Sequence, residues 1–447
     1  MNYLRAAGLI FISRLAFLSP WLEDWDSVQF SLGLHDFNLA LNQPHAPGYI
    51  LYIFSAKILY FFTKSDIGSL NLLSAIAGTF AVLLTFLITK NIFNKKAAII
   101  SSLIIIVTPI SWMMSVTPLT NIVGLASFLA FIYFIYKHFE TRPLLVSLIG
   151  GLILGFRATE LPIIISLIGL ATLKYKKINE LPKLFSFFIL GMALWIIPTI
   201  FATGLNNFIS AYKWIAGYVI NHDSIATQTF SDRLNKIGFL LDVSFTPWLV
   251  AILILVLFVI MAKKYYKEYR FQFLLVWLLS YLTPLLFVYN LEVPRYTLPL
   301  LPPAAILLSY FLKGKYIVTI VLLFLLITRS FSQLTRFQKA IPPSIAPVLY
   351  TKQNYDPQNT FIIASFIYRQ FEHYAPEFVS VYEARVNSKN ILNKKYAILD
   401  YLGLVDKLPK GVEYKIVKQL DFSGDQDIFS RLSKVSLYIL ELNDGRQ

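Results

Sequence analysis

The sequence predicts an all-α polytopic membrane bundle of about 11 transmembrane helices, with outer juxtamembrane helices and a small C-terminal α/β extracytoplasmic domain. Of the 447 residues, 56% are hydrophobic and 15% are charged, whereas a soluble chain carries about 25% charged residues. The hydrophobic residues concentrate in runs of roughly 16 to 25 residues, the length that crosses a bilayer core. After residue 331 the runs become short and strand-like, which indicates a separate folded unit.

Eleven apolar segments account for the predicted crossings. They are residues 4–20, 68–90, 97–115, 119–136, 143–157, 159–173, 184–203, 238–262, 271–289, 297–312 and 316–331. A twelfth segment, Pro47 to Phe62, is short and contains Lys57. If it crossed, Arg5 would lie opposite most other basic residues of the loops. We therefore interpret 26–62 as a juxtamembrane excursion on the outer surface.

Basic residues divide unequally between the two sets of loops. The set that includes Arg5 holds sixteen Lys and Arg residues, and the opposite set holds eight. The positive-inside rule then places the N-terminus in the cytoplasm of a multi-pass inner (plasma) membrane protein. The same rule accounts for the net charge of +15, so no nucleic-acid partner is expected. The chain has no cysteine, which excludes disulfides and cysteine metal sites.

Two domains follow from this topology. Residues 1–331 form the transmembrane domain, with a first outer loop at 21–66 and a second large outer loop at 204–237. Residues 332–447 form the extracytoplasmic α/β domain. Its predicted strands cover 360–366, 378–382, 396–401, 414–419 and 437–442, and its predicted helices cover 367–374 and 427–434.

The acidic segment after the first crossing has two interpretations. Glu23, Asp24 and Asp26 precede a predicted amphipathic helix, Val28 to Leu41. With Gln29 three residues later, Asp26 fits the N-cap of a capping box, which is a purely structural role. A carboxylate at a membrane surface can equally accept a proton from a substrate hydroxyl.

Further polar residues are predicted on the same membrane face. His45 lies in the turn Gln43 to Tyr49, Arg157 lies where the fifth crossing ends, and Arg295 lies where the tenth begins. Ionisable residues beside apolar stretches are costly and usually functional, and the planar guanidinium suits phosphate oxygens. Each arginine could alternatively snorkel to the interface, and His45 could be a surface histidine. Arg14, inside the first crossing, could pair within the bundle.

In order and spacing, four sequence elements resemble the GT-C superfamily of integral-membrane glycosyltransferases. They are the acidic Asp24-Trp25-Asp26-Ser27, the proline-rich Pro44-His45-Ala46-Pro47-Gly48-Tyr49, Gly155-Phe156-Arg157, and Arg295-Tyr296 with Leu298-Pro299. The resemblance covers roughly residues 1–330 and is greatest to bacterial relatives of protein O-mannosyltransferases and lipid A aminoarabinose transferases.

The resemblance implies transfer of a sugar from a polyprenyl-phosphate carrier to a glycan, lipid or protein acceptor on the extracytoplasmic face, with inversion. It implies that Asp26 is the general base, that Asp24 is a second base or a metal ligand, and that His45, Arg157 and Arg295 bind the donor phosphate. Some relatives carry an acidic residue where this chain has Asn121, which weakens a metal site. A divalent metal, held by Asp24 and Asp26 if by any residues, is left open.

Aromatic residues complete the predicted site. Tyr49, Trp214 and Tyr296 are candidate contacts for the sugar or the acceptor, although Trp214 and Tyr218 could equally be interfacial anchors. A transporter or flippase of a lipid-linked or anionic substrate is the alternative function. A transporter should carry charges near the bilayer midplane and often shows repeated halves, and neither feature is evident. A non-catalytic scaffold would leave the charged residues unexplained.

Overall fold

A computed structural model describes residues 3–225, 229–244, 263–382, 394–408, 412–424 and 434–443, with four isolated positions at 252, 256, 259 and 260. The chain divides into two compact units. The first comprises residues 1–19 and 33–338, and the second comprises residues 20–32 and 339–447. This division differs from the sequence-based domains, because the acidic segment belongs to the same unit as the C-terminal residues.

The first unit is helical. Its helices are α1 (Tyr3–Leu15), α3 (Ile50–Thr63), α4 (Asp66–Ile92), α5 (Lys95–Val107), α6 (Pro109–Met114), α7 (Asn121–His138), α8 (Pro143–Ile153), α9 (Leu161–Lys174), α10 (Leu181–Thr203), α11 (Leu205–Tyr218), α12 (Phe230–Ser244), α13 (Tyr269–Phe287), α14 (Leu301–Leu312) and α15 (Tyr316–Lys339). Short 3-10 segments precede several of them, at Leu39–Leu41, Ala158–Glu160, Ile178–Glu180 and Pro294–Leu300.

Five of the described helices are long and apolar enough to cross a membrane. They are Asp66–Ile92, Asn121–His138, Ile178–Thr203, Tyr269–Phe287 and Tyr316–Lys339. Large apolar side chains such as Phe201 and Ile317 point outward from these helices, at 85% and 79% exposed, as expected of surfaces that face lipid tails. The protein is therefore a multi-pass membrane protein. The number of crossings stays a prediction, and most of the predicted segment 238–262 lies outside the described residues.

Close packing of helices explains two of the glycines. A Cβ on Gly151 of α8 would lie 2.0 Å from the Phe188 carbonyl oxygen of α10, and a Cβ on Gly191 of α10 would lie 2.1 Å from the Leu148 carbonyl oxygen. Only glycine permits these backbones to approach so closely. The Trp195 indole N–H also donates to the Gly151 carbonyl at 3.0 Å, which fixes α10 against α8.

The second unit combines α2 (Trp25–His35), which begins in it, with a five-stranded sheet. Its elements are α16 (Ala346–Asn354), β1 (Thr360–Ala364), α17 (Tyr368–Tyr374), β2 (Val379–Tyr382), β3 (Tyr396–Leu399), β4 (Glu413–Ser423) and β5 (Lys434–Asn443). The strand order is β2-β1-β3-β5-β4. β1 pairs in parallel with β2 and β3, and β5 pairs antiparallel with β3 and β4.

The sheet is covered on both faces in its centre. β1 is buried throughout, and alternate residues enter two different hydrophobic clusters. Ile362 belongs to one cluster, and Phe361 and Ile363 belong to the other. This alternation is the period-two pattern of a strand between two packed layers. Strand β4 is at the sheet edge and mostly exposed. The five strands lie where the sequence predicts them, whereas the predicted helix 427–434 falls almost entirely outside the described residues.

Candidate active site

The proline-rich turn in the first unit is shaped by local hydrogen bonds. Asn38 and Gln43 exchange backbone hydrogen bonds of 2.7 and 2.9 Å, and both the Gln43–Pro44 and Ala46–Pro47 peptide bonds are cis. Gly48 adopts φ +100°, a conformation that favours glycine. The half-buried His45 ring packs edge-on against Tyr49, with centroids 5.1 Å apart. The turn therefore presents His45 and Tyr49 together.

Two breaks between helices carry the arginines. α8 ends at Ile153 and α9 begins at Leu161, so Arg157 lies in the link between them, directly before the 3-10 segment Ala158–Glu160. Arg295 lies in the 3-10 segment Pro294–Leu300, which contains a second proline, Pro299. Both arginines are buried, with exposures of 6% and 3%. Non-helical backbone at membrane depth is tolerated only when it is buried in protein or lines a cavity.

A tyrosine ring brings these two arginines together. The Arg157 guanidinium carbon is 5.6 Å from the centroid of the Tyr296 ring, and the Arg295 guanidinium carbon is 6.0 Å from the same centroid. Both distances lie within cation–π range. The Tyr281 hydroxyl donates to the Tyr296 carbonyl at 2.8 Å, and the Tyr289 hydroxyl donates to the Thr159 carbonyl at 3.0 Å. The structure therefore brings Arg157 and Arg295 to the same ring in the first unit, and their binding of a donor phosphate stays a prediction.

Polar neighbours hold the Arg157 guanidinium from several sides. Its Nε donates to the Thr159 hydroxyl at 2.9 Å, and its Nη1 donates to the Thr120 hydroxyl at 3.0 Å. With the Asn121 amide oriented as its neighbours require, the Asn121 oxygen accepts from Nη1 and Nη2 at 3.1 Å each. Of the five guanidinium N–H groups, one on Nη2 therefore has no acceptor among the described residues.

Glu160 is an ionisable residue beside Arg157, and the sequence analysis gave it no role. Its side chain is 2% exposed, and Oε1 lies 3.6 Å from Arg157 Nε. The Thr159 hydroxyl, which accepts from Arg157, donates to Glu160 Oε2 at 3.3 Å. Oε1 has no hydrogen-bond partner among the described residues. The signal in the sequence was a carboxylate three residues after Arg157 at the start of an apolar run.

Small residues make room for this arrangement. A Cβ on Gly124, in α7, would lie 2.7 Å from Arg157 Cδ and 2.8 Å from Arg157 Cβ. The Leu51 N–H donates to the Gly155 carbonyl at 3.3 Å, so the start of α3 is tied to the backbone two residues before Arg157. The turn that carries His45 and Tyr49 is thereby connected to the segment that carries Arg157 within the first unit.

The acidic segment lies in the second unit, where Asp24 is the residue that caps α2. The Asp26 N–H donates to Asp24 Oδ1 at 2.9 Å, and the Ser27 hydroxyl donates to the Asp24 carbonyl at 2.6 Å. The expectation that Asp26 is the cap of a helix over 28–41 was wrong, because α2 spans Trp25–His35. Asp26 lies in the first helical turn and is half-buried.

The remaining predicted residues are on described elements. Trp214 is 56% exposed on α11 and stacks on Tyr218, whose ring stacks in turn on His222. Arg14 donates to the Ile106 carbonyl at 2.9 Å and lies 4.6 Å from the Trp112 ring centroid. Among the described residues no group of three or more His, Cys, Asp or Glu side chains could hold a metal ion. Metal binding by Asp24 and Asp26 stays a prediction.

Comparisons with known proteins find one family model and several solved structures similar to this chain. Residues 43–201 match the family model of dolichyl-phosphate-mannose-protein mannosyltransferases. The structure is similar to that of ArnT from Cupriavidus metallidurans bound to undecaprenyl phosphate, with a TM-score of 0.60, 11% identity, and coverage of 98% of this chain and 97% of that one. For the apo state of the same protein the TM-score is 0.61 at 9% identity, with the same coverage.

A second fold relative is the oligosaccharyltransferase of Archaeoglobus fulgidus in its apo form. Its TM-score is 0.51 at 12% identity, over 89% of this chain and 69% of that one. No protein with curated functional information matches the sequence. The chain therefore shares the overall fold of these membrane proteins.

Proposed function

We propose that this protein transfers a sugar from a polyprenyl-phosphate carrier to a hydroxyl of a glycan, lipid or protein acceptor on the extracytoplasmic face of the membrane, with inversion. The observation that carries the proposal is the buried pair Arg157 and Arg295 around Tyr296, in two breaks between apolar helices. Two buried cations beside apolar helices are suited to a lipid-linked anion. The similar ArnT structure was determined with undecaprenyl phosphate bound.

The proposed reaction is a single displacement at the anomeric carbon. The acceptor oxygen forms a bond to that carbon while the bond from carbon to the phosphate oxygen breaks, and the phosphate departs with the electron pair. Asp26 is the general base that takes the proton from the acceptor hydroxyl. The phosphate bears one negative charge as a diester in the donor and two in the product, so cations near it stabilise the transition state more than the donor.

The basic residues have different proposed roles. Arg157 has one N–H group left beyond its partners Thr120, Asn121 and Thr159, so it acts on the phosphate mainly through its charge. Arg295 and His45 supply direct contacts to the phosphate oxygens. Tyr49 and Tyr296 adjoin these residues and bind the sugar, and Trp214 is a further contact for sugar or acceptor.

The test is a transfer assay with purified protein in lipid nanodiscs. Donors are undecaprenyl-phosphate-linked hexoses and aminopentoses, and mass spectrometry measures the undecaprenyl phosphate released. Asp26→Asn should lower the rate about 100- to 10,000-fold, the range for loss of a general base. The matched control is Asp406→Asn, which changes an exposed carboxylate of the same unit and should retain wild-type activity. Full activity of Asp26→Asn would remove Asp26 as the base.

The phosphate site is tested by a second pair of variants. Arg295→Gln should lower the rate about 100-fold, because a contact to the departing charge is lost. It should also weaken binding of undecaprenyl phosphate, measured by native mass spectrometry. Arg329→Gln is the control, since Arg329 is an exposed arginine on α15. If wild-type protein neither binds undecaprenyl phosphate nor releases it from any donor of the panel, the proposed function is wrong.

A further inference from the structure

The acidic segment and the C-terminal residues form one unit although more than 300 positions separate them in the chain. Residues 20–32 share the second unit with residues 339–447. Bringing together segments so distant in sequence has a loop-closure cost, which the contacts between them must offset. None of the candidate site residues predicted from the sequence lies in the C-terminal domain. The contacts of this domain with the acidic segment indicate a role in holding that segment in place.

Backbone atoms of the acidic segment are bound by side chains of the C-terminal residues. The Glu23 carbonyl accepts from the Gln370 side-chain amide at 2.8 Å and from the Ser344 hydroxyl at 3.0 Å. The Leu22 N–H donates to the Tyr374 hydroxyl at 2.7 Å. Gln370 and Ser344 are each 1% exposed. Buried hydrogen bonds to the backbone fix the path of a loop whatever side chains the loop carries.

Aromatic contacts bracket the same segment. The Trp21 ring packs against Tyr374 with centroids 5.9 Å apart, and the Trp25 ring packs against Tyr382 at 6.1 Å. The Arg369 guanidinium carbon lies 6.0 Å from the Trp25 ring centroid. Trp21 and Trp25 flank the hydrogen-bonded residues on both sides. The segment from Trp21 to Trp25 is therefore held along its whole length.

The helix that supplies these contacts is itself fixed. Gln370 and Tyr374 are four residues apart on α17 and therefore lie on one helix face. Just before α17, the Asp400 carboxylate accepts the backbone N–H groups of Ser365, Phe366 and Ile367 at 2.6 to 3.0 Å. Burial raises the pKa of Tyr374 to about 12, so its hydroxyl stays uncharged at neutral pH.

We propose that the C-terminal unit is the positioning element for the base, with Gln370, Tyr374 and Ser344 as positioning residues that act through the backbone of Leu22 and Glu23. This inference rests on the proposed role of Asp26. Glu23 is followed by Asp24, whose carboxylate accepts the Asp26 N–H. Fixing the Glu23 carbonyl therefore fixes the first turn of α2, which carries Asp26. A base displaced by about 1 Å can lose about 100-fold in rate.

Two conservative substitutions on α17 test the proposal. Gln370→Met keeps the volume of the side chain but removes the donor to Glu23. Tyr374→Phe keeps the ring against Trp21 but removes the acceptor for the Leu22 N–H. Each variant should lower kcat roughly 10-fold and the pair roughly 100-fold, with the KM for donor and the Kd for undecaprenyl phosphate unchanged. The acidic limb of the pH profile of kcat should shift as well, because the surroundings of the base change.

The matched control is Tyr350→Phe. The Tyr350 hydroxyl accepts from Lys418 at 2.7 Å within the same unit, and its ring packs against Tyr355 and Phe422, so kcat should stay at the wild-type value. Hydrogen–deuterium exchange gives a readout that needs no substrate. The amides of residues 21–30 should exchange at least 10-fold faster in Gln370→Met/Tyr374→Phe than in Tyr350→Phe.

The outcomes separate the two proposals. Unchanged exchange at residues 21–30 in the double variant overturns the positioning role, whether or not a donor has been found. Faster exchange with wild-type kcat and pH profile also overturns it, because the contacts then serve folding only. An inactive wild type that does not bind undecaprenyl phosphate instead contradicts the proposed function.

Discussion

Arg157 is held almost entirely by residues that the sequence analysis did not associate with it. Arg157, Arg295 and His45 could be predicted as candidates because ionisable groups beside apolar runs are rare. The partners could not, because Thr120 and Asn121 are ordinary polar residues that become significant only when α7 packs beside the break at 154–160. Asn121 was interpreted as a departure from a metal site, whereas the structure makes it an acceptor for the guanidinium.

The negative charge of Glu160 offsets part of the positive charge of Arg157. The substitution Glu160→Gln should remove this offset. The glutamine keeps the size of the side chain and an oxygen that can accept from Thr159, while the negative charge is lost. At about 10 Å and an effective dielectric constant of about 20, one unit charge is worth about 1.7 kcal/mol. Binding of the singly charged donor should therefore become roughly 16-fold tighter. The doubly charged product, undecaprenyl phosphate, should gain more binding free energy than the singly charged donor. Release of the product should therefore become slower, and kcat should fall.

Native mass spectrometry and product-inhibition kinetics measure this effect. Asp66→Asn is a suitable control, because Asp66 pairs with His35 and not with Arg157. Weaker binding in Glu160→Gln, at an unchanged melting temperature, would show that Glu160 does not oppose the phosphate.

At the scale of elements, α2 shows why a sequence pattern can predict that a helix is present and still assign the wrong residue as its N-cap. Asp26-Ser27-Val28-Gln29 fits a capping box, and Asp24-Trp25-Asp26-Ser27 offers a second acidic residue two positions earlier. The structure begins the helix at Trp25, since the Asp24 carboxylate accepts the Asp26 N–H. The strands of the second unit were easier to predict, because β1 and β3 are short, continuous apolar runs of the kind that form buried central strands.

Asparagine and alanine at position 24 distinguish capping from catalysis. Asparagine caps a helix about as well as aspartate, whereas alanine loses about 1 kcal/mol. If Asp24 acts as the cap, Asp24→Asn should keep kcat within about three-fold, whereas Asp24→Ala should lose roughly ten-fold because α2 frays beside Asp26. Transfer rates and the melting temperature of each variant check this. Equal losses of about 100-fold in both variants would instead show that the Asp24 charge takes part in the chemistry.

At the scale of the whole molecule, the sequence predicts the helical and the α/β parts but not which segments share a unit. Hydropathy and alternation are local properties, so they divide the chain at about residue 331. The grouping of residues 20–32 with 339–447 depends on contacts such as Gln370 with Glu23. The periodicity of a sequence does not predict such contacts, because a backbone carbonyl can accept a hydrogen bond at any residue, whatever its side chain.

The orientation of the molecule is the remaining prediction at this scale, and the absence of cysteine makes it directly testable. The balance of basic residues places Lys96, at the start of α5, in the cytoplasm and the C-terminal unit outside. A membrane-impermeant maleimide should therefore label Asp406→Cys in intact cells, whereas Lys96→Cys should react only after permeabilisation. Both positions are exposed, so differences in labelling report sidedness and not burial. The reverse pattern would place the C-terminal unit and Asp26 on the cytoplasmic side, and an extracytoplasmic acceptor would then be excluded.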